Sequence, residues 1–96
     1  MLPGQWKWHG AVEDPATGRI YAIPQSAERV LRITPADGDC DVEVALVGPA
    51  LPGRWKFYGG LYSKGAIYGV PACATGVLRI GLGGAEETIS VVGDVK

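Results

Sequence analysis

One histidine and two cysteines are all this sequence holds of the side chains that most often ligate transition metals or activate nucleophiles. His9 by itself makes neither a catalytic triad nor a metal site. Cys40 and Cys73 lack the Cys-x-x-Cys spacing of a zinc centre. Gly-x-Ser-x-Gly, a phosphate-binding loop and His-Glu-x-x-His are all missing. No metal and no cofactor is therefore expected, and the reading leans away from an enzyme. Excess charge of either sign is missing too. Nine Lys and Arg stand against ten Asp and Glu, for a net charge of -1 and an isoelectric point near 5.7. That leaves no support for nucleic acid or a membrane surface as an electrostatic partner. No apolar run approaches the roughly 18 residues that cross a bilayer. The opening Met1-Leu2-Pro3-Gly4-Gln5-Trp6 has neither a basic nor a long apolar stretch. No signal peptide is expected, and a cytoplasmic location is the default.

Glycine and proline are plentiful instead, at 15 and 7 of 96 residues. That is too much punctuation for a helical bundle. With 47% hydrophobic and 20% charged residues, the chain is also too apolar to stay disordered. What remains is one small, turn-rich β domain.

The sequence repeats itself. Leu2-Pro3-Gly4-Gln5-Trp6-Lys7-Trp8-His9-Gly10 returns as Leu51-Pro52-Gly53-Arg54-Trp55-Lys56-Phe57-Tyr58-Gly59. Gly18-Arg19-Ile20-Tyr21-Ala22-Ile23-Pro24 returns as Gly65-Ala66-Ile67-Tyr68-Gly69-Val70-Pro71. Val30-Leu31-Arg32-Ile33 returns as Val77-Leu78-Arg79-Ile80, and Leu46-Val47-Gly48 as Val91-Val92-Gly93. Recurrence in order, with drift only in the turns, means two copies of one unit. The units span residues 1–49 and 50–96.

Each unit reads as four short strands. In the first they fall at about 6–13, 19–23, 29–34 and 41–47. Asp14-Pro15-Ala16-Thr17-Gly18 and Pro35-Ala36-Asp37-Gly38-Asp39 turn the chain, and Pro24 ends the second strand. No stretch holds a period near 3.6, so almost no helix is expected. In the first strand simple alternation puts Trp8, Gly10 and Val12 on one face. It puts Lys7, His9, Ala11 and Glu13 on the other. The second strand is apolar on both faces, as a strand covered on both sides is. Gly10, Gly59 and Gly60 either let neighbouring backbones approach closely, the favoured reading, or are bulge glycines in an ordinary meander.

Four antiparallel strands per repeat of about 45 residues is the period of a β-propeller blade, and the alternative architecture is a small sandwich or barrel. The Trp-Lys-aromatic start, the Gly-x-Ile-Tyr-x-[Ile/Val]-Pro run and Val-Leu-Arg-Ile are distantly similar to YVTN- and NHL-type blades. The resemblance covers nearly the whole chain and identifies a repeat class. The Trp-Asp dipeptide of WD repeats and the paired glycines of Kelch repeats are absent. The fold expected is all-β: two four-stranded antiparallel β-propeller blades. Two blades cannot close, so the ring forms only by oligomerisation, as a homotrimer or a homotetramer. The junction of Gly93-Asp94-Val95-Lys96 onto a following Met1-Leu2-Pro3-Gly4 matches the internal linker in length and in its Leu-Pro-Gly end.

In a blade, Cys40 and Cys73 fall at opposite ends, too far apart for a disulfide, which suits a reducing compartment. Asp37-Gly38-Asp39-Cys40-Asp41 lacks the spacing and the closing glutamate of a calcium loop. Gly81-Leu82-Gly83-Gly84 precedes no helix and is not a nucleotide loop. Aromatic residues are the more suggestive class. Trp6, Trp8, Trp55 and Phe57 flank Lys7 and Lys56. They either pack between blades or present a face to sugars. The lysines either point to solvent or ring an opening that draws an anion. The candidate ligand-binding set is Trp6, Lys7, His9, Arg54, Trp55, Lys56 and Tyr58. The ligand expected is a small anion or carbohydrate. The function expected is a non-enzymatic, lectin-like binding or scaffold module. The alternatives are a fragment of a larger propeller protein or enzyme of lactonase or lyase type, and an engineered piece without a function of its own.

Overall fold

The first hairpin closes through the side chain of Asp14. Its carboxylate accepts hydrogen bonds from the Ala16 amide (3.0 Å) and the Thr17 hydroxyl (2.9 Å). Its backbone carbonyl accepts from the Gly18 amide at 2.8 Å. Gly18 completes the turn at φ 77°, a conformation that costs glycine little. The matching hairpin of the second unit uses only Lys64 and Gly65, at φ 51° and 80°, the signature of a type I′ turn.

The computed structural model describes residues 8–25, 27–35, 42–51, 57–72, 74, 76–84 and 86–93. They form β1 (Trp8–Glu13), β2 (Ile20–Pro24), β3 (Val30–Pro35), β4 (Val42–Val47), β5 (Phe57–Ser63), β6 (Ala66–Pro71), β7 (Val77–Gly81) and β8 (Thr88–Val92). Among the described residues there is no helix. The strands make two antiparallel meanders, ordered β1-β2-β3-β4 and β5-β6-β7-β8. The all-β expectation, with two four-stranded antiparallel sheets, is what the chain adopts. β2 and β3 each start and end one residue later than expected, and the expected starts at 6–7 and 41 lie outside the described residues. Pro24 closes β2 from within, opposite Trp8, rather than just beyond it.

One expectation is overturned. Between Trp8 and Ala11 the pairing slips: Trp8 faces Pro24, but Ala11 faces Ala22. His9 and Gly10 thus oppose the single residue Ile23, with Gly10 at φ 80°. This β-bulge breaks alternation, so Trp8 shares a face with Ala11 rather than with Val12. The second unit repeats the device. Tyr58 and Gly59 oppose Val70, with Gly59 at φ 72°.

The sheets pack face to face. The core between them holds Tyr21, Ile23, Val30 and Val47 from the first sheet and Phe57, Ile67, Leu78 and Ile80 from the second. Burying each aliphatic side chain there contributes about 1.5–3 kcal/mol. The bulges let the sheets meet closely. A Cβ on Gly10 would stand 3.0 Å from the Gly59 Cα, a close approach of the two sheets, whereas Gly60 is crowded by Tyr68 of its own sheet. Gly69 is pressed in the same way by Leu78 and Ile23.

Candidate functional site

Within the apolar core one polar cluster crosses the junction of the sheets. The Tyr21 hydroxyl donates to Glu87 at 2.7 Å, and Arg32 Nη1 pairs with both Glu87 oxygens at 2.9 and 3.1 Å. β2 and β3 hold Tyr21 and Arg32 side by side as directly opposed residues. Glu87 comes from the turn between β7 and β8, and its side chain is only 5% exposed. Burial alone would push its carboxyl up. The bonds from Tyr21 and Arg32, with the arginine's charge, outweigh that and hold it below the usual carboxylate range. Burial first, then the carboxylate, pushes the Tyr21 phenol up to about 12. The tyrosine therefore stays a donor and the glutamate an acceptor. The pair is a fastener between sheets rather than an acid–base couple. Two buried atoms, Gln25 Oε1 and Arg32 Nε, have no hydrogen-bond partner among the described residues.

Beside this cluster opens a cavity of about 260 Å³, walled by Asp14, Arg19, Tyr21, Tyr62 and Glu87 and by the Gly83-Gly84 turn. It has room for a small polar molecule. On its wall Tyr21 and Glu87 are bonded to one another, and the Asp14 carboxylate is bonded within its own turn. Among the described residues no group of three or more His, Cys, Asp or Glu side chains lies close enough to hold a metal. No helix among them is long and apolar enough to cross a membrane.

Trp6, Lys7, Arg54, Trp55 and Lys56, together with Cys40 and Cys73, lie outside the described residues. His9 and Tyr58 occupy matching bulge positions, one in each unit. Tyr58 is exposed. Trp8, half-buried, donates from its indole nitrogen to the Arg29 carbonyl at 3.0 Å, so it is tied into the first unit. The residues missed from sequence are Tyr21, Arg32 and Glu87. A signal was present: a tyrosine and an arginine recur within otherwise apolar strands. Glu87 carried none, because it reads as one more acidic turn residue.

Most of the exposed large hydrophobic side chains among the described residues lie on the outer faces of the two sheets, while Tyr62 and Val91 are exposed on the inward face of the second. In antiparallel pairing, directly opposed residues share a face. Ile20, Ala22, Leu31, Ile33, Val44 and Leu46 therefore line the outer face of the first sheet. Val44 and Leu46 are 58% and 48% exposed. Leu61, Tyr68, Val70, Val77, Arg79 and Val92 line the outer face of the second. There Leu61 and Val70 are exposed, and Leu61, Tyr68, Val70 and Val77 wall an open hollow of about 460 Å³.

Comparison of the chain with known protein families, with curated proteins and with solved structures finds no match.

Proposed function

We propose that this chain is a non-enzymatic binding or scaffold module, built of two propeller-type blades, that completes a ring with copies of itself. One observation carries the reading: both outer sheet faces carry large apolar side chains open to water. Val42, Val44 and Leu46 stand out on one, and Leu61, Val70 and Val92 on the other. Soluble monomers seldom leave such surface bare, and two bare faces on opposite sides call for two neighbours. Closed symmetry satisfies both faces of every copy at once. Three copies give six blades and four give eight, with the trimer ahead. On the sequence pattern, the ring binds a small anionic or carbohydrate ligand through Trp6, Lys7, His9, Arg54, Trp55, Lys56 and Tyr58.

The test is mass in solution. Light scattering and native mass spectrometry of the chain should find a trimer or a tetramer. A monomer at all concentrations would overturn the reading, and the bare faces would then belong against further blades of a longer chain.

A further inference from the structure

We propose that the two outer faces dock on each other, front to back, between successive copies of this chain. The inference rests on the self-assembly read above and adds which face meets which. Strand register carries it. Tyr21, Ile23, Val30 and Arg32 point from the first sheet into the junction. Their repeat counterparts Tyr68, Val70, Val77 and Arg79 lie on the outer face of the second sheet. Ile67, Gly69, Leu78 and Ile80 point from the second sheet into the junction. Their counterparts Ile20, Ala22, Leu31 and Ile33 lie on the outer face of the first. The internal junction thus joins the tyrosine face of one repeat to the leucine face of the other. One leucine face and one tyrosine face are left over, on opposite sides of the molecule. They are the same two halves that already fit inside it.

The fit extends to side-chain volume. Inside, Ile23 Cγ2 lies 3.3 Å from where a Cβ on Gly69 would stand. Across the docked faces the matching pair is the exposed Val70 and Ala22, which is only 7% exposed in the single chain. Isoleucine to valine gives up one methylene and glycine to alanine gains one, so the sum at the contact is unchanged. A second contact behaves alike. Inside, Ile89 presses on Gly48, leaving no room for a Cβ there. The matching pair outside is Gly93, which has open space around it, and the exposed Val44. Both glycines share the left-handed backbone, at φ 81° and 73°. The polar fastener is not copied residue for residue. Val42 stands at the Glu87 position, flanked in sequence by Asp41 and Glu43. Apolar contact would carry the docked junction, and Arg79, the counterpart of Arg32, would face Val42 there in place of a carboxylate. Contacts of this head-to-tail kind close into rings when the rotation per step divides the circle.

Two double variants test the polarity. Val44→Asp with Leu46→Asp disables the leucine face, and Leu61→Asp with Val70→Asp disables the tyrosine face. All four positions are exposed in the single chain, so each variant keeps its own fold, which circular dichroism checks. Native mass spectrometry should find each variant monomeric alone. An equimolar mixture should form a dimer with one copy of each, and nothing larger, because only one intact junction remains. If like faces paired instead, the first variant alone would form dimers, and that result overturns the proposal. So does a mixture that stays monomeric while the unaltered chain assembles. A monomeric unaltered chain overturns the assembly reading itself. As a check that does not rely on charge, Val70→Ile should weaken assembly on the order of tenfold by overpacking, and adding Ala22→Gly should restore it. Failure of that rescue counts against the face pairing.

Discussion

Lys64 holds a left-handed backbone, at φ 51°, in the two-residue turn between β5 and β6. Only Lys64 and Gly65 separate Ser63 from its partner Ala66, so the turn has no slack in which to relax. Asparagine tolerates this conformation better than lysine, and Asn-Gly is the preferred pair for such a turn. Lys64→Asn should raise stability by about 0.5–1 kcal/mol in denaturant titrations. A larger effect should come from Glu87. Its folded pKa lies below the ordinary value of 4.5, so its stabilising contribution is full above that value. The contribution is lost as pH falls through the folded value. Tyr21 acts at the other end of the scale. Its folded pKa is raised from 10.0 to about 12, so its contribution is full below 10.0 and is lost across that interval as pH rises. Glu87→Gln removes the charge that Arg32 faces and should cost about 1–3 kcal/mol at neutral pH. Thermal melts should also show the variant's stability falling less steeply in acid. An equally steep acid limb in both proteins would show that Glu87 is not the group responsible.

At the scale of the strand, the bulges decide what sequence reading reaches. The repeat, the number of strands and the turns were all legible, because glycine, proline and alternation act locally. The faces of the first strand were not. A bulge inserts one residue, and every side chain before it moves to the opposite face from the one that alternation assigns. Gly10 and Gly59 marked the place, and a bulge was one of the two readings open for them, but the sequence did not decide between it and a simple close approach. The two glycines are also unequal. A Cβ on Gly10 would meet the Gly59 Cα at 3.0 Å, whereas one on Gly59 would meet nothing within 4 Å. Both substitutions pay for the left-handed backbone, but only Gly10→Ala also forces β1 away from β5. Gly59→Ala should therefore cost about 1 kcal/mol, and Gly10→Ala about 2–3 kcal/mol. Equal losses in chemical denaturation would mean that the sheets can separate there at little cost.

For the whole molecule, alternation in β4 has an odd consequence. Glu43 and Ala45 share the face that looks toward the second sheet, while Val42, Val44 and Leu46 look outward. A strand made to edge a free-standing domain would be arranged the other way. The internal interface could not be read from sequence, because it depends on which face of each repeat turns inward, and two repeats offer four combinations. The observed combination leaves unlike faces outside, so in the proposed assembly every added copy would be both a partner and a template for the next. Assembly that stabilises the folded chain must then show in its thermal midpoint. The folded form gains binding free energy with concentration and the unfolded chain does not, so the midpoint should climb as the protein is concentrated. Val44→Asp with Leu46→Asp should remove that climb while lowering the dilute-limit midpoint only slightly, since both side chains already face water in the single chain. A midpoint that rises with concentration equally in both proteins would place the self-contact elsewhere on the surface.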